Sequence, residues 1–234
     1  MNYAIIAAGE GSRLAQEGVK KPKPLVELNG EPMVMRLINI FRRCNAESIT
    51  IIVNEQMTEV KTLLDTVRRD VPLRVVTKTT PSSMHSFWEL SKVMSPGKFC
   101  LTTVDTIFRE PDFARYIAAF EADDEHDGMW AVTPFVDDEK PLYVEVADEQ
   151  SMRIVAFRDQ PWDGAKYVSG GLYAMTSKAF PVLNQCIERG ISRMRNFQRA
   201  LVDAHFSLQA FSIDKIIDVD HASDIATAQH FINE

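Results

Sequence analysis

The sequence predicts an α/β fold: a mixed, mainly parallel sheet covered by helices on both faces. Three observations predict it. Short apolar runs alternate with segments of helical periodicity through the first half of the chain, the order that builds parallel strands joined by crossover helices. The first run, Ala4 to Ala8, is wholly apolar, as a strand buried on both faces requires. The second half holds strand-like segments less separated by helices, which adds antiparallel strands or an inserted subregion.

The elements follow in order. Asn2–Ala8 reads as a buried strand. Pro32–Cys44 carries apolar residues at helical spacing and opens on proline, whose missing N–H costs nothing in a first turn. Ser48–Asn54 is a second strand, Met57–Val67 an amphipathic helix and Leu73–Lys78 a third strand. Ser83–Met94 is a helix with a serine-rich start, Lys98–Asp105 a strand ending in an aspartate, and Asp112–Ala122 another helix. Strand-like segments follow at 128–135, 142–148, 153–157 and 166–175, then helices at Lys178–Arg189 and Met194–Ala204. Late strands at 207–213 and 216–219 precede a closing helix at 222–232. With no repeat, low-complexity linker or composition break, residues 1–234 are expected to form a single domain.

Composition excludes several classes. At 234 residues, 45% hydrophobic and 25% charged, the chain can bury a full core and is not disordered. Its net charge of -7 argues against a duplex-coating nucleic-acid binder. Cys44, Cys100 and Cys186 are widely spaced, which predicts buried free thiols rather than a zinc site or a disulfide framework. The N-terminus lacks a basic signal-peptide start and no run reaches membrane-spanning length. The expectation is a cytoplasmic protein without a membrane partner.

The first strand runs into Gly9-Glu10-Gly11-Ser12-Arg13. Glycines there let a ligand approach the main chain, and successive N–H groups cradle anions. Arg13 adds a planar cationic fork suited to phosphate. Two phosphate motifs fail: no GxxxxGK[ST] is present, and Leu14 stands where a dinucleotide fingerprint needs its third glycine. On these residues alone a plain tight turn competes equally. Lys23 lies between Pro22 and Pro24, which stiffen the backbone that presents it.

The run AAGEGSRL…KPKPLVELNGEPM closely resembles the signature of the nucleotidylyltransferases that make sugar nucleotides. The resemblance implies a Rossmann-like, glycosyltransferase-A-like fold and a Mg²⁺-dependent enzyme joining an NTP to a small phosphorylated acceptor, a sugar 1-phosphate foremost, with release of pyrophosphate. It implies that Ala7, Ala8, Gly9, Glu10, Gly11 and Ser12 bind the nucleotide, that Arg13 acts on its leaving phosphates, and that Lys23 binds the α-phosphate or the acceptor phosphate. Asp105, in LTTVDTIF, falls where the family holds Mg²⁺, although Val104 replaces the usual glycine before it. IIDVDHASDIATAQHF is similar to a late family segment, so Asp218 is the expected second metal ligand and Asp220 its alternative. KYVSGGLYAM is similar to the acceptor-binding strand, with Gly170 and Gly171 in the contact positions.

Two stretches depart from the pattern. In TTPSSMHSFWEL, Ser82, Ser83 and Ser86 stand where sugar-nucleotide enzymes carry Gly-Thr, a spacing nearer to phosphocholine-type cytidylyltransferases. They are expected to touch the nucleotide, with plain helix capping as the competing role; His85 is read as packing or surface. In FRDQP, Asp159 and Gln160 replace a Glu-Lys pair, which leaves Asp159 as an acceptor contact without the usual lysine. Arg193, Arg195 and Arg199 are read first as a solvated helix face. A glycosyltransferase using Asp218-Val219-Asp220 and a non-catalytic nucleotide sensor are the other classes. Base, acceptor and oligomeric state are left open.

Overall fold

The computed structural model describes residues 1–67, 72–136 and 139–233. In chain order its elements are β1 (Asn2–Ala7), α1 (Ser12–Gln16), β2 (Glu27–Leu28), β3 (Glu31–Pro32), α2 (Met33–Arg43), β4 (Ser48–Val53), α3 (Thr58–Val67), β5 (Leu73–Thr77), α4 (Ser83–Ser91), β6 (Lys98–Thr103), β7 (Thr106–Ile107), α5 (Glu110–Ala122), β8 (Gly128–Thr133), β9 (Tyr143–Val146), β10 (Ile154–Arg158), β11 (Tyr167–Thr176), α6 (Phe180–Glu188), α7 (Met194–Asp203), β12 (Leu208–Ser212), β13 (Ile217–Asp218) and α8 (Ala222–Phe231). Short 3-10 turns cover Lys23–Leu25 and Ser177–Ala179.

Nine of the strands form one mixed sheet. Its parallel centre runs β5-β4-β1-β6, and β11 joins β6 antiparallel. Beyond β11 the sheet divides, with β8 and then β12 on one branch and β9 and β10 on the other. The strand-rich second half is mainly antiparallel, one of the two arrangements its sequence allows, with β12 parallel to β8.

Strand period explains how both faces are filled. Every residue of β1 is buried, and successive side chains point to opposite faces. Tyr3, Ile5 and Ala7 join a core with Leu37 and Phe41 of α2, Phe113, Tyr116 and Phe120 of α5, and Phe231 of α8. Ala4 and Ile6 join a second core with Phe87 and Leu90 of α4, Leu183 of α6, and Phe197 and Leu201 of α7. Cys100 and Cys186 are buried free thiols, as expected, whereas Cys44, at the end of α2, is only half-buried.

This topology marks a candidate ligand-binding place. The chain adds β4 and β5 on one side of β1, then crosses to place β6 on the other. Open α/β sheets bind ligands outside the carboxyl ends of strands at such a switch point. The segment after β1 and the turn after β6 meet there.

The strand expected to run to Asp105 stops two residues earlier. A Thr103 Oγ1–Thr106 Oγ1 hydrogen bond of 2.8 Å closes a turn, and β7 then pairs antiparallel with β13, placing Thr106 opposite Asp218. Gly171 permits this approach. Its φ is +76°, and a Cβ there would lie 2.6 Å from Thr106 Oγ1. Gly171→Ala is therefore expected to lower unfolding free energy by about 2–4 kcal/mol, read from urea denaturation; a loss below about 0.5 kcal/mol would contradict the close packing.

Candidate active site

Gly11 and Lys23 are built for one another. Gly11 adopts φ +62° at the start of α1, and a Cβ on it would come 3.1 Å from Lys23 Cβ. Lys23 sits in its own 3-10 turn, closed by Leu25 N–H donating to Pro22 O at 2.8 Å. The lysine stem runs beneath the glycine turn and is buried.

Its ammonium meets two carboxylates. Lys23 Nζ donates to Asp105 Oδ2, and to Asp220 Oδ1 at 2.7 Å. Arg13 Nη1 donates to the other oxygen of Asp220 at 2.9 Å. Burial works against the Lys23 charge, but the charges and hydrogen bonds of Asp105 and Asp220 outweigh it and raise its pKa. Burial likewise opposes ionisation of Asp220, yet Lys23 and Arg13 prevail and hold its carboxyl below the usual range.

Asp218 differs. Its carboxylate accepts a hydrogen bond from Thr106 Oγ1 at 3.1 Å. Enclosure by protein, then the charge of Asp105, pushes its carboxyl well above the usual carboxylate range. The side chain nonetheless keeps accessible surface toward the cleft, and water there screens the effect. Among the described residues, Asp218 is thus a carboxylate beside another carboxylate without an ion-pair partner of its own.

The closing helix does not compete for these acids. Asp224 Oδ2 accepts from the N–H groups of Asp220 at 2.9 Å and His221 at 2.6 Å. Glu17, at the end of α1, accepts from Ala222 N–H at 2.6 Å and pairs with His221 Nδ1 at 2.6 Å. Capping α8 thus falls to Asp224, His221 and Glu17, so Asp218 and Asp220 face the cleft. The Glu17 carboxylate, chiefly by its hydrogen bond, raises the His221 pKa.

Two cavities meet at this point. The first, about 630 Å³, is lined by Gly9, Glu10, Gly11, Ser12, Arg13, Lys23, Ser82, Ser83, Ser86 and Asp105, and by Ala8. That volume suits a bound small molecule. Ala7 is not on its wall, because its side chain points into the opposite core. Asn54, Thr79 and Thr80 also line it, and the motif reading missed them. They follow β4 and β5, so the strand-end rule was the available signal. Ser86 is buried and bonded to Thr80 Oγ1 at 2.6 Å. Ser82 occupies the cap position of α4 but its hydroxyl pairs with His85 Nδ1 at 2.8 Å instead of capping.

The second cavity holds Gly170, Thr133, Phe135, Glu139, Asp218 and His221. Arg13 and Asp220 line both. Asp159, the expected acceptor contact, lines neither. Arg195 Nη1 and Arg199 Nη2 hold it at 2.6 Å and 2.7 Å, and Arg199 also donates to Phe157 O at 3.1 Å. Those arginines are therefore not a merely solvated face; they tie α7 to the end of β10. Gly171 also stands off the cavity walls and acts through Thr106.

Residues 3–204 match the family described as the MobA-like NTP transferase domain. The chain belongs to this family. Shorter stretches are similar to named enzymes. One is 38% identical over 71 residues to the bifunctional protein GlmU of Neisseria meningitidis serogroup B, covering 30% of this chain and 14% of that protein. Another is 40% identical over 52 residues to the 2-aminoethylphosphonate cytidylyltransferase of Lancefieldella rimae, covering 22% of this chain and 21% of the relative. The chain thus aligns with under a quarter of each relative's length. The inositol-1-phosphate CTP transferase of T. maritima shares the fold across 100% of this chain and 96% of its own, with TM-score 0.82 and 21% identity. A putative glucose-1-phosphate thymidylyltransferase of Bacillus anthracis does so at TM-score 0.83 and 15% identity over 100% and 96%. The NTP transferase family and the Rossmann-like fold are those the glycine turn and KPKPL imply. Among the described residues, no helix is long and apolar enough to cross a membrane.

Proposed function

We propose that this protein is a nucleotidyltransferase that joins an NTP to a small phosphorylated acceptor and releases pyrophosphate. The single observation that carries the reading is Lys23, buried beneath the glycine turn and aimed at the junction of two cavities beside Asp105, Asp220 and Arg13. In this reaction an acceptor phosphate oxygen forms a bond to the α-phosphorus, the α–β bridging bond breaks, and its electron pair leaves with pyrophosphate. Charge gathers on the leaving group, so placed cations are the main catalytic resource. The N–H groups of Gly9–Gly11 and the Arg13 fork would hold the β- and γ-phosphates, and Lys23 the α-phosphate. The acceptor phosphate is already ionised, so no general base is needed.

The donor set fits Mg²⁺. Asp105 and Asp218 supply hard carboxylate oxygens, and the unpaired, disfavoured charge of Asp218 is one that a cation relieves. Among the described residues no three His, Cys, Asp or Glu side chains are grouped to hold a metal, so the pair would need phosphate oxygens to complete a coordination sphere. When bound, Mg²⁺ supplies positive charge against the developing pyrophosphate. Asp220 is the weaker ligand candidate, since both its oxygens are engaged by cations.

The acceptor is proposed to be a sugar 1-phosphate. Cytidylyl transfer to an amine-bearing phosphate or phosphonate is a second reading, favoured by one observation. The second cavity has Arg13 as its sole Lys or Arg among the described residues, against Glu139, Asp218, Asp220 and Asp224. Pyrophosphate release, measured for the four NTPs with sugar 1-phosphates, phosphocholine and 2-aminoethylphosphonate, tests both. One NTP–acceptor pair giving Mg²⁺-dependent release is expected. Tight NTP binding with no release from any pair would overturn the proposal in favour of a nucleotide sensor.

A further inference from the structure

A third cavity, of about 870 Å³, is bounded by α2, the start of α5 and the end of α8. It shares no lining residue with either cavity described above. Leu28, Ile40 and Phe231 give it an apolar wall, and among the described residues five Lys or Arg side chains line it against four Asp or Glu. In a chain of net charge -7, this local surplus of positive charge opposes the overall sign.

Arg36 of α2 is the decisive member of the wall. It is only 8% exposed. Its Nη2 donates to Phe108 O, and its guanidinium lies 5.4 Å from the centre of the Phe108 ring. Its Nη1 has no hydrogen-bond partner and is closed to bulk water. Among the described residues, the other buried side-chain atoms without a partner belong to Trp130, Ser169, Thr176 and Gln198, so Arg36 alone of them carries charge. Buried charges are ordinarily paired. Burial lowers the Arg36 pKa to about 10, which leaves it charged at neutral pH.

The acids nearby are engaged elsewhere. Arg43 holds both oxygens of Glu110, Arg115 Nη2 donates to Asp112 at 2.7 Å, and Asn39 donates to Glu31 at 2.7 Å. Lys215 is a second cation of the wall without an ion pair among the described residues; its ammonium lies 5.1 Å from the centre of the Phe231 ring.

We propose that this cavity binds the phosphate group of a small molecule, with Arg36 as its principal donor. The planar guanidinium fork matches phosphate oxygens, and a bound anion supplies the partner that the protein withholds from Nη1. Lys215 adds a second positive charge, which favours a dianion over a monoanion. The volume admits an organic body beside the phosphate, with Leu28 and Ile40 as its apolar contacts. The site stands independently of the nucleotidyltransferase reading, since none of these residues serves that reaction. Phe108 follows β7 and Lys215 precedes β13, so the anion sits at the end of the β7–β13 ribbon opposite Asp105.

The test titrates inorganic phosphate into the whole protein in EDTA, by calorimetry. Lys23→Met removes the active-site ammonium and is expected to keep a phosphate site. Arg36→Met keeps an apolar stem, removes the fork and is expected to weaken that site about tenfold or more. Binding lost in Lys23→Met and kept in Arg36→Met would place phosphate at the glycine turn and overturn the proposal. Equal binding in both variants and the wild type, or none in the wild type, would do the same. A crystal structure of the wild-type protein with phosphate gives a readout that depends on no variant. The ion should lie ~3 Å from an Arg36 nitrogen. An Arg36 still without an anion, or density unmatched by binding in solution (an adventitious ion only), would refute the assignment.

Discussion

Lys23→Met is expected to reduce kcat/KM for pyrophosphate release by roughly 10²–10³-fold, the range for losing one placed donor to developing charge. Methionine keeps the buried stem beneath Gly11 and removes the ammonium. The same change leaves Asp105 and Asp220 without their shared cation, and is expected to lower stability by about 1–3 kcal/mol at neutral pH. The sign of the pH dependence follows from the shifts. The folded pKa of Asp220 is depressed, so its contribution is present above the unfolded carboxylate value and lost as pH falls through the folded one. The folded pKa of Lys23 is raised, so its contribution is present below the ordinary lysine value and lost as pH rises through the raised one. The stability gap between wild type and variant is therefore widest around neutral pH and closes in acid. Chemical denaturation across pH measures it. Wild-type kcat/KM in the variant would remove Lys23 from the mechanism.

Asp218→Asn is expected to abolish turnover yet stabilise the ligand-free protein. Asparagine keeps the acceptor for Thr106 Oγ1 and removes a charge that faces Asp105. Because the folded pKa of Asp218 is raised, its ionised form opposes folding. That cost is fully present above the folded pKa and vanishes below the ordinary carboxylate value. After screening by the open cleft, the gain is about 1 kcal/mol at pH 8, or roughly 2–4 °C in Tm, shrinking as pH falls. Asp105→Asn gives no such gain, since it also removes one of the two carboxylates that hold Lys23. Thermal unfolding of both variants with and without Mg²⁺ distinguishes them. A less stable Asp218→Asn protein at pH 8 would contradict the like-charge reading.

Much of the site was legible because its signals are local. Gly9, Gly11 and Arg13 lie in one turn, and Pro22 and Pro24 bracket Lys23, so steric rules for glycine and proline apply without knowledge of the fold. Asp105 was legible as an acid near a strand end. The choice between Asp218 and Asp220 was not, because two acids two residues apart carry the same local signal. The β7–β13 pairing sets Asp218 against Thr106, while Lys23 and Arg13 take Asp220. The ion pairs of Asp159 were not legible for the same reason. Its partners Arg195 and Arg199 lie on a helix distant in sequence, and nothing near FRDQP signals them. Thr80 escaped notice because its partner, Ser86, and not Thr80 itself, carried the recognisable helix start.

The sequence by itself determined the order of the longer strands and helices, the two buried faces of β1 and the glycine turn; the short α1, β2, β3 and β7 were not in it. The features it determined follow from residue periodicity and backbone sterics, which act over a few residues. Only the tertiary structure decided which charges meet. Lys23 reaches Asp105 across 82 residues and Asp220 across 197. Coulomb energy depends on separation in space and on the surrounding dielectric, and both are set by how the sheet and its crossings bring the strand ends together.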